Sequence, residues 1–191
     1  MGGRLSPKTA AARAAGRRGR AGRGAGDARL AAWSTSCGVT ERFVASLPPA
    51  LWRAAIPGIP TRTVRGVAAH LHNARCSWIR TLGGEHGIAA PARVDQRAVT
   101  PARLVTALRR SARGIAAILE LGIRRGGQVP PSRRYVWRNL GLSVEHVLTY
   151  FVAHEAHHRG QLVMAARQLG LRLPAGVTAG LWQWRTRPAA P

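Results

Sequence analysis

Apolar residues recur at three- and four-residue spacing in four segments of the chain, and each such run predicts a helix with one face turned to a core. The first covers about Thr40 to Ile56, with Val39, Phe43, Leu47 and Leu51 in register and Pro48-Pro49 placed to kink or divide it. The second covers Thr61 to Leu82, capped by Thr61 or Thr63, with a stripe of Val64, Val67, Leu71, Ala74, Trp78 and Leu82. The third follows Thr100, places Pro101 at its first position and carries Leu104, Leu108, Ile115, Ala116 and Leu119 to about Ile123. The fourth and longest opens near Ser143 and closes at Gly170, before Pro174. No alternating strand pattern of useful length appears. The expectation is an all-α four-helix bundle, a fold whose core commonly houses metal sites.

The fourth stripe is interrupted by polar residues where a core is expected. It reads Val147, Phe151, His154, His158, Leu162, Ala165, Leu169, so two histidines four residues apart share the inward face. A single histidine on an apolar face is more often a hydrogen-bonded core residue than a ligand. Two in register favour a metal ion, because burying two imidazoles is costly unless something satisfies them. His157 falls on a neighbouring stripe with Tyr150, Gln161, Met164 and Gln168 and is expected at the rim.

His154-Glu155-Ala156-His157-His158 also matches the metalloprotease string His-Glu-x-x-His, in which the glutamate is the general base. The extended form of that motif needs Gly and His where this chain has Gln161 and Met164, and no Asp or Glu follows Glu155. A third ligand must therefore come from upstream, where the histidines are His70, His72, His86 and His146. His70 sits at the edge of the second helix's apolar face, His72 falls well off it, and His86 lies in the loop-like Gly83-Gly84-Glu85-His86-Gly87. His70 is the expected third ligand and His72 the alternative. Glu155 projects about 100 degrees away from His154 and is read as orienting a neighbouring group rather than reaching the ion.

The segment Ala69-His70-Leu71-His72-Asn73-Ala74-Arg75 through Trp78, taken with Ala153-His154-Glu155-Ala156-His157-His158-Arg159-Gly160-Gln161, resembles the DinB-like superfamily of metal-binding four-helix bundles. In that family a histidine about eight residues before a tryptophan on the second helix joins two histidines four apart on the last, the latter followed by Arg-Gly-Gln. His70 with Trp78, and His154 with His158 before Arg159-Gly160-Gln161, match position by position. The closing Gly180-Leu181-Trp182-Gln183-Trp184 is similar to a tail in one branch of the family. The resemblance spans roughly Thr40 to Trp184. It agrees with His70, His154 and His158 as the metal ligands, and His157, Glu155, Gln161 and Arg159 are expected around those ligands or at the rim. Relatives include transferases and isomerases that use low-molecular-weight thiols, and many members have no established activity.

Composition sets the boundaries. Residues 1–32 are Gly, Ala and Arg with almost no large apolar side chains, hold eight of the 30 basic residues against the single acid Asp27, and are expected to be a disordered tail. The bundle domain is expected over 33–184, with 185–191 as a C-terminal tail. A nucleic-acid-binding arm is one reading of the N-terminal stretch. The preferred one is a solvated tail, or a start codon placed too early. Arg17-Arg18 is not followed by the apolar run of an export signal, so a cytoplasmic protein is expected, with no membrane association. The net charge of +23 is discounted because all basic residues but Lys8 are Arg, a skew that points to coding bias as much as to phosphate contact. Nonspecific nucleic-acid binding through the basic tail remains compatible with it, whereas no helix-turn-helix, basic zipper or zinc-finger spacing supports sequence-specific recognition. Cys37 and Cys76 lack Cys-x-x-Cys spacing and fit a reducing compartment, with Cys76 read as a small buried hydrophobe.

Three neutral imidazoles leave a divalent metal ion (zinc, nickel or iron) open to a further ligand, which suits hydrolysis or thiol transfer. The partners expected are a low-molecular-weight thiol and a small-molecule substrate, and a homodimer is compatible with the sequence. A non-catalytic metal-binding or DNA-associated stress-response protein is the alternative.

Overall fold

The computed structural model describes residues 28–136 and 139–186. Four long helices dominate the described residues: α1 (28–45), α3 (Val64–Trp78), α4 (Pro101–Arg124) and α5 (Val144–Gln168). Short helices α2 (Pro49–Arg53) and α6 (Ala175–Gly180) and a two-stranded antiparallel hairpin, β1 (Ala55–Ile56) with β2 (Ile59–Thr63), complete the fold. The all-α class is as expected. No described helix is long and apolar enough to cross a membrane.

Local chemistry accounts for the helix ends. Thr63, Thr100 and Ser143 are the N-caps of α3, α4 and α5, their hydroxyls accepting from the amides of Gly66, Arg103 and His146 at 3.1, 3.3 and 3.2 Å. Gly170 follows α5 with φ 67°, the left-handed conformation that ends a helix most cheaply at glycine. Gly122 does a different job. A Cβ there would meet Val144 Cγ2 at 2.6 Å and Val129 Cγ2 at 2.9 Å, so glycine lets α4 close against the start of α5.

Two expectations are corrected at the N-terminal end. The first long helix begins at 28 rather than 40, so residues 28–32, assigned to the tail, are helical; Leu30 packs on the core and Arg29 pairs with Glu145. Of the expected C-terminal tail 185–191, residues 185 and 186 end a short 3-10 turn, Trp184–Thr186, and the remainder, like the expected disorder of 1–27, lies outside the described residues. Pro48 and Pro49 do divide the segment, separating α1 from α2.

The core has two apolar layers. One gathers Leu51, Val64, Leu71, Leu104, Leu108 and Leu162; the other gathers Trp33, Ile79, Ile115, Leu119, Val147 and Phe151. Each fully buried Leu contributes about 2 kcal/mol relative to exposure. A buried polar sheet of side chains touches both layers. Arg75 on α3 donates to Glu155 Oε1 on α5 at 2.6 Å and to the Leu108 carbonyl at 2.9 Å, and its guanidinium lies 4.8 Å from the Trp33 ring. Arg159 donates to the Thr40 hydroxyl at 2.6 Å, and Thr40 donates onward to Glu155 Oε2 at 2.8 Å. Burial opposes charge on Arg75, but Glu155, Cys37 and Glu41 together outweigh it and the guanidinium is held above its usual range.

Candidate metal centre

The helical repeat sets the site. On α5, residues four apart stack on one face, which aligns His154 with His158; α3 packs beside it and presents His70. One ring nitrogen from each lies within 4.8 Å of the other two. His70 and His154 are half-buried and His158 is 8% exposed. The Nε2 atoms of His154 and His158 are 3.2 Å apart. Two imidazole nitrogens bound tetrahedrally to one ion are separated by about 3.4 Å, so this pair already has the spacing of shared coordination.

Both ends of the cluster are braced. His158 Nδ1 donates to Gln161 Oε1 at 2.8 Å, which assigns the ring proton to Nδ1 and leaves the Nε2 lone pair directed at His154. Tyr150 stacks on His154 at 5.8 Å between ring centroids and 15° between planes, and the Tyr150 hydroxyl accepts from Trp78 Nε1 at 3.1 Å. Trp78 is thus tied to the site through Tyr150.

The chain matches the DinB family over residues 26–186. It belongs to the DinB family. No curated protein matches it, and no solved structure does.

The electrostatics of this DinB protein keep the three rings neutral. Burial, followed by the neighbouring His158, His70 and His157 and by Arg75, lowers His154 from 6.5 to about 4. His70 is lowered by burial and then by His158, Arg62 and Arg93. His158 is lowered by burial, against the opposing effect of its bond to Gln161. Neutral imidazole is the form that binds a metal, so the chemistry of the donor set fits a divalent ion without prior loss of protons at neutral pH.

His72, the alternative ligand, is elsewhere. It is fully buried rather than off the helix's packed face, because α2, α4 and α5 all pack on α3 and bury more of it than one stripe. Its Nε2 donates to the Ala92 carbonyl at 2.9 Å and its Nδ1 accepts from the Ser111 hydroxyl at 3.0 Å, so neither nitrogen is left for an ion. Cys76 Sγ lies 3.3 Å from His72 Nε2, and burial pushes its thiol up.

The remaining residues named with the site separate. Gln161 touches His158 directly. His157 is exposed, its ring 5.1 Å from that of His158. Glu155 and Arg159 belong to the buried polar sheet instead of the rim: one residue on from His154 and His158, they are turned about 100° into the bundle. A metalloprotease glutamate must face the ion, and Glu155 is engaged by Arg75 and Thr40. His86 ends the short turn Gly84–His86, and His146 sits in the first turn of α5 beside Ser143.

A cavity of about 410 Å³ opens beside the cluster. Its lining includes His70, His158, Arg62, Arg65, Gln96 and Arg97. None of these four non-histidine residues was singled out from the sequence. Arg62 lies on the hairpin strand β2, which had no signature beyond five residues interrupted by Pro60, and Gln96 and Arg97 lie in a loop.

Proposed function

We propose that His70, His154 and His158 hold one divalent metal ion and that the protein is a metal-dependent enzyme acting on a small molecule, by thiol transfer in preference to hydrolysis. The observation that carries the reading is the convergence of three neutral imidazoles beside a cavity. When bound, a divalent ion supplies Lewis acidity that draws the proton from a water molecule or a thiol. The chain's own residues favour the thiol. No carboxylate appears in the cavity lining, and Glu155, the nearest in sequence, is held by Arg75. A water molecule therefore lacks a general base, whereas a thiol is already more acidic than water by about seven pKa units. Gln161 orients His158, and Tyr150 stacked on His154 shields that ring from solvent.

The test is thiol consumption. Protein loaded in turn with zinc, nickel and iron is mixed with a low-molecular-weight thiol and an electrophile, and free thiol is followed against His154→Ala. Loss of thiol that needs both metal and His154 supports transfer. Turnover of ester or amide substrates without thiol would assign hydrolysis. Metal binding without turnover of either kind would leave the non-catalytic metal-binding or DNA-associated alternative, to which the net charge of +23 is also suited.

A further inference from the structure

We propose that the cavity beside the histidine cluster binds the anionic group, a carboxylate or a phosphate, of the small molecule that reacts there, and that Arg62, Arg65 and Arg97 hold it. This identifies a substrate class for the site and rests on the reading above only in placing the reacting end of that molecule at His70 and His158.

The distribution of charge along the chain points to this anion site. The protein has seven acidic residues, of which Asp27 lies outside the described residues. Glu41, Glu120, Glu145 and Glu155 pair with Arg109, Arg124, Arg29 and with Arg75 and Arg159. Glu85 accepts from the Arg133 amide, and Asp95 Oδ1 accepts from the Arg97 amide at 2.7 Å, each a contact to backbone. Among the described residues no carboxylate pairs with the side chain of Arg62, Arg65 or Arg97. Three guanidinium groups therefore share one concave surface without a counter-charge. Arginine presents a planar fork of donors that suits carboxylate and phosphate oxygens.

Arg65 supplies a second observation. Its Nε is buried and has no hydrogen-bond partner, so the protein itself does not saturate this guanidinium beside the cavity. The first turn of α3, with Gly66 also in the lining, adds the positive end of a 15-residue helix, and Thr61 and Gln96 add neutral donors.

The loop bearing Gln96 and Arg97 is held in place. The Asn73 amide donates to the Val94 carbonyl at 3.0 Å and accepts from the Val94 amide at 2.9 Å, while His72 bonds Ala92. Two buried residues of α3 thus fasten the loop that supplies this part of the lining. Arg62 lines the same cavity as His70 and His158, which places its charge beside the reacting end. A volume of about 410 Å³ is that of a small-molecule site rather than of a groove for duplex nucleic acid.

The experiment is calorimetric titration of the full chain, stripped of metal, with inorganic phosphate and separately with succinate at low salt. Arg62→Glu and Arg97→Glu change exposed side chains and should leave folding intact, Arg65→Gln keeps most of the volume, and Arg113→Glu alters an exposed charge outside the cavity. Saturable binding of one or both anions is expected, and the better one identifies the headgroup. Arg62→Glu and Arg97→Glu should each weaken it about tenfold or more, as loss of a charge-assisted bond implies, and Arg113→Glu should not. Metal content of the arginine variants should equal that of wild type. His154→Ala, outside the lining, should lose metal and keep anion binding, which separates failure of the metal reading from failure of this one. Absence of saturable binding would overturn the proposal. So would equal weakening by Arg62→Glu and Arg113→Glu, or duplex DNA binding with the same dependence, since either would assign the effect to overall surface charge.

Discussion

Helix α5 carries two polar pairs one residue out of phase, His154 with His158 and Glu155 with Arg159, and their surroundings are opposite. The Glu155 pair faces the bundle interior, where Arg75 and Thr40 occupy both carboxylate oxygens. The histidine pair adjoins a cavity that His158 lines, has ring nitrogens clustered with one of His70, and is held neutral. A rotation of about 100° per residue is enough to separate a closed structural network from an open chemical site on the same two turns. Paired polar residues at four-residue spacing therefore mark a shared face, and only the partners on the facing helices decide whether that face is saturated.

The largest expected effect falls on the closed network. Replacing Glu155 by Ala leaves Arg75 buried without its partner and should cost about 3–5 kcal/mol in urea unfolding, whereas His154→Ala in the metal-free protein should cost much less. Similar losses in the two variants would erase the distinction between the regions.

Acid should act on the open region in the metal-free protein. The folded-state pKa of His154 lies at about 4 against 6.5, and His70 and His158 are lowered as well. Between those values the unfolded chain binds more protons, so stability rises with pH and is lost as pH falls from 6.5 toward about 4. Thermal unfolding across that range should show the loss, reduced in His154→Ala. An unchanged pH slope in the variant would place the titration elsewhere.

Smaller changes are expected from the groups that brace the cluster. Gln161→Ala should weaken metal binding about tenfold by freeing the His158 ring, a dissociation constant readable by competition with a chromogenic chelator. Tyr150→Phe keeps the ring stacked on His154 and removes only the acceptor for Trp78, so its effect should be smaller still. A larger loss from Tyr150→Phe would make the Trp78 contact more important than the Gln161 bond.

Much of this was legible in the chain. The periodicity of Leu104, Leu108, Ile115 and Leu119 and the caps Thr100 and Ser143 placed α4 and α5 almost to the residue. His70 was distinguished from His72 by its position at the edge of an apolar stripe, and the structure brings His70, not His72, to the α5 pair. The start of α1 was hidden because Leu30, Trp33 and Cys37 follow directly on an Arg- and Gly-rich stretch whose composition masks their spacing. The environment of Arg75 was not legible, since its partners Glu155 and Leu108 lie 80 and 33 residues away. The same holds for the cavity. Arg62, Arg65 and Arg97 look like any of the chain's many arginines until the hairpin, the start of α3 and the loop fastened by Asn73 bring them together.

Elemental analysis after dialysis decides whether one face of α5, completed by His70, holds a metal ion. Wild-type protein should bind about one divalent ion per chain, His158→Ala should lose most of it because two remaining imidazoles hold an exchangeable ion poorly, and the exposed neighbour His157→Ala should retain it. Equal loss from His157→Ala and His158→Ala, or no bound metal in the wild type after exposure to zinc, nickel and iron, would contradict the account.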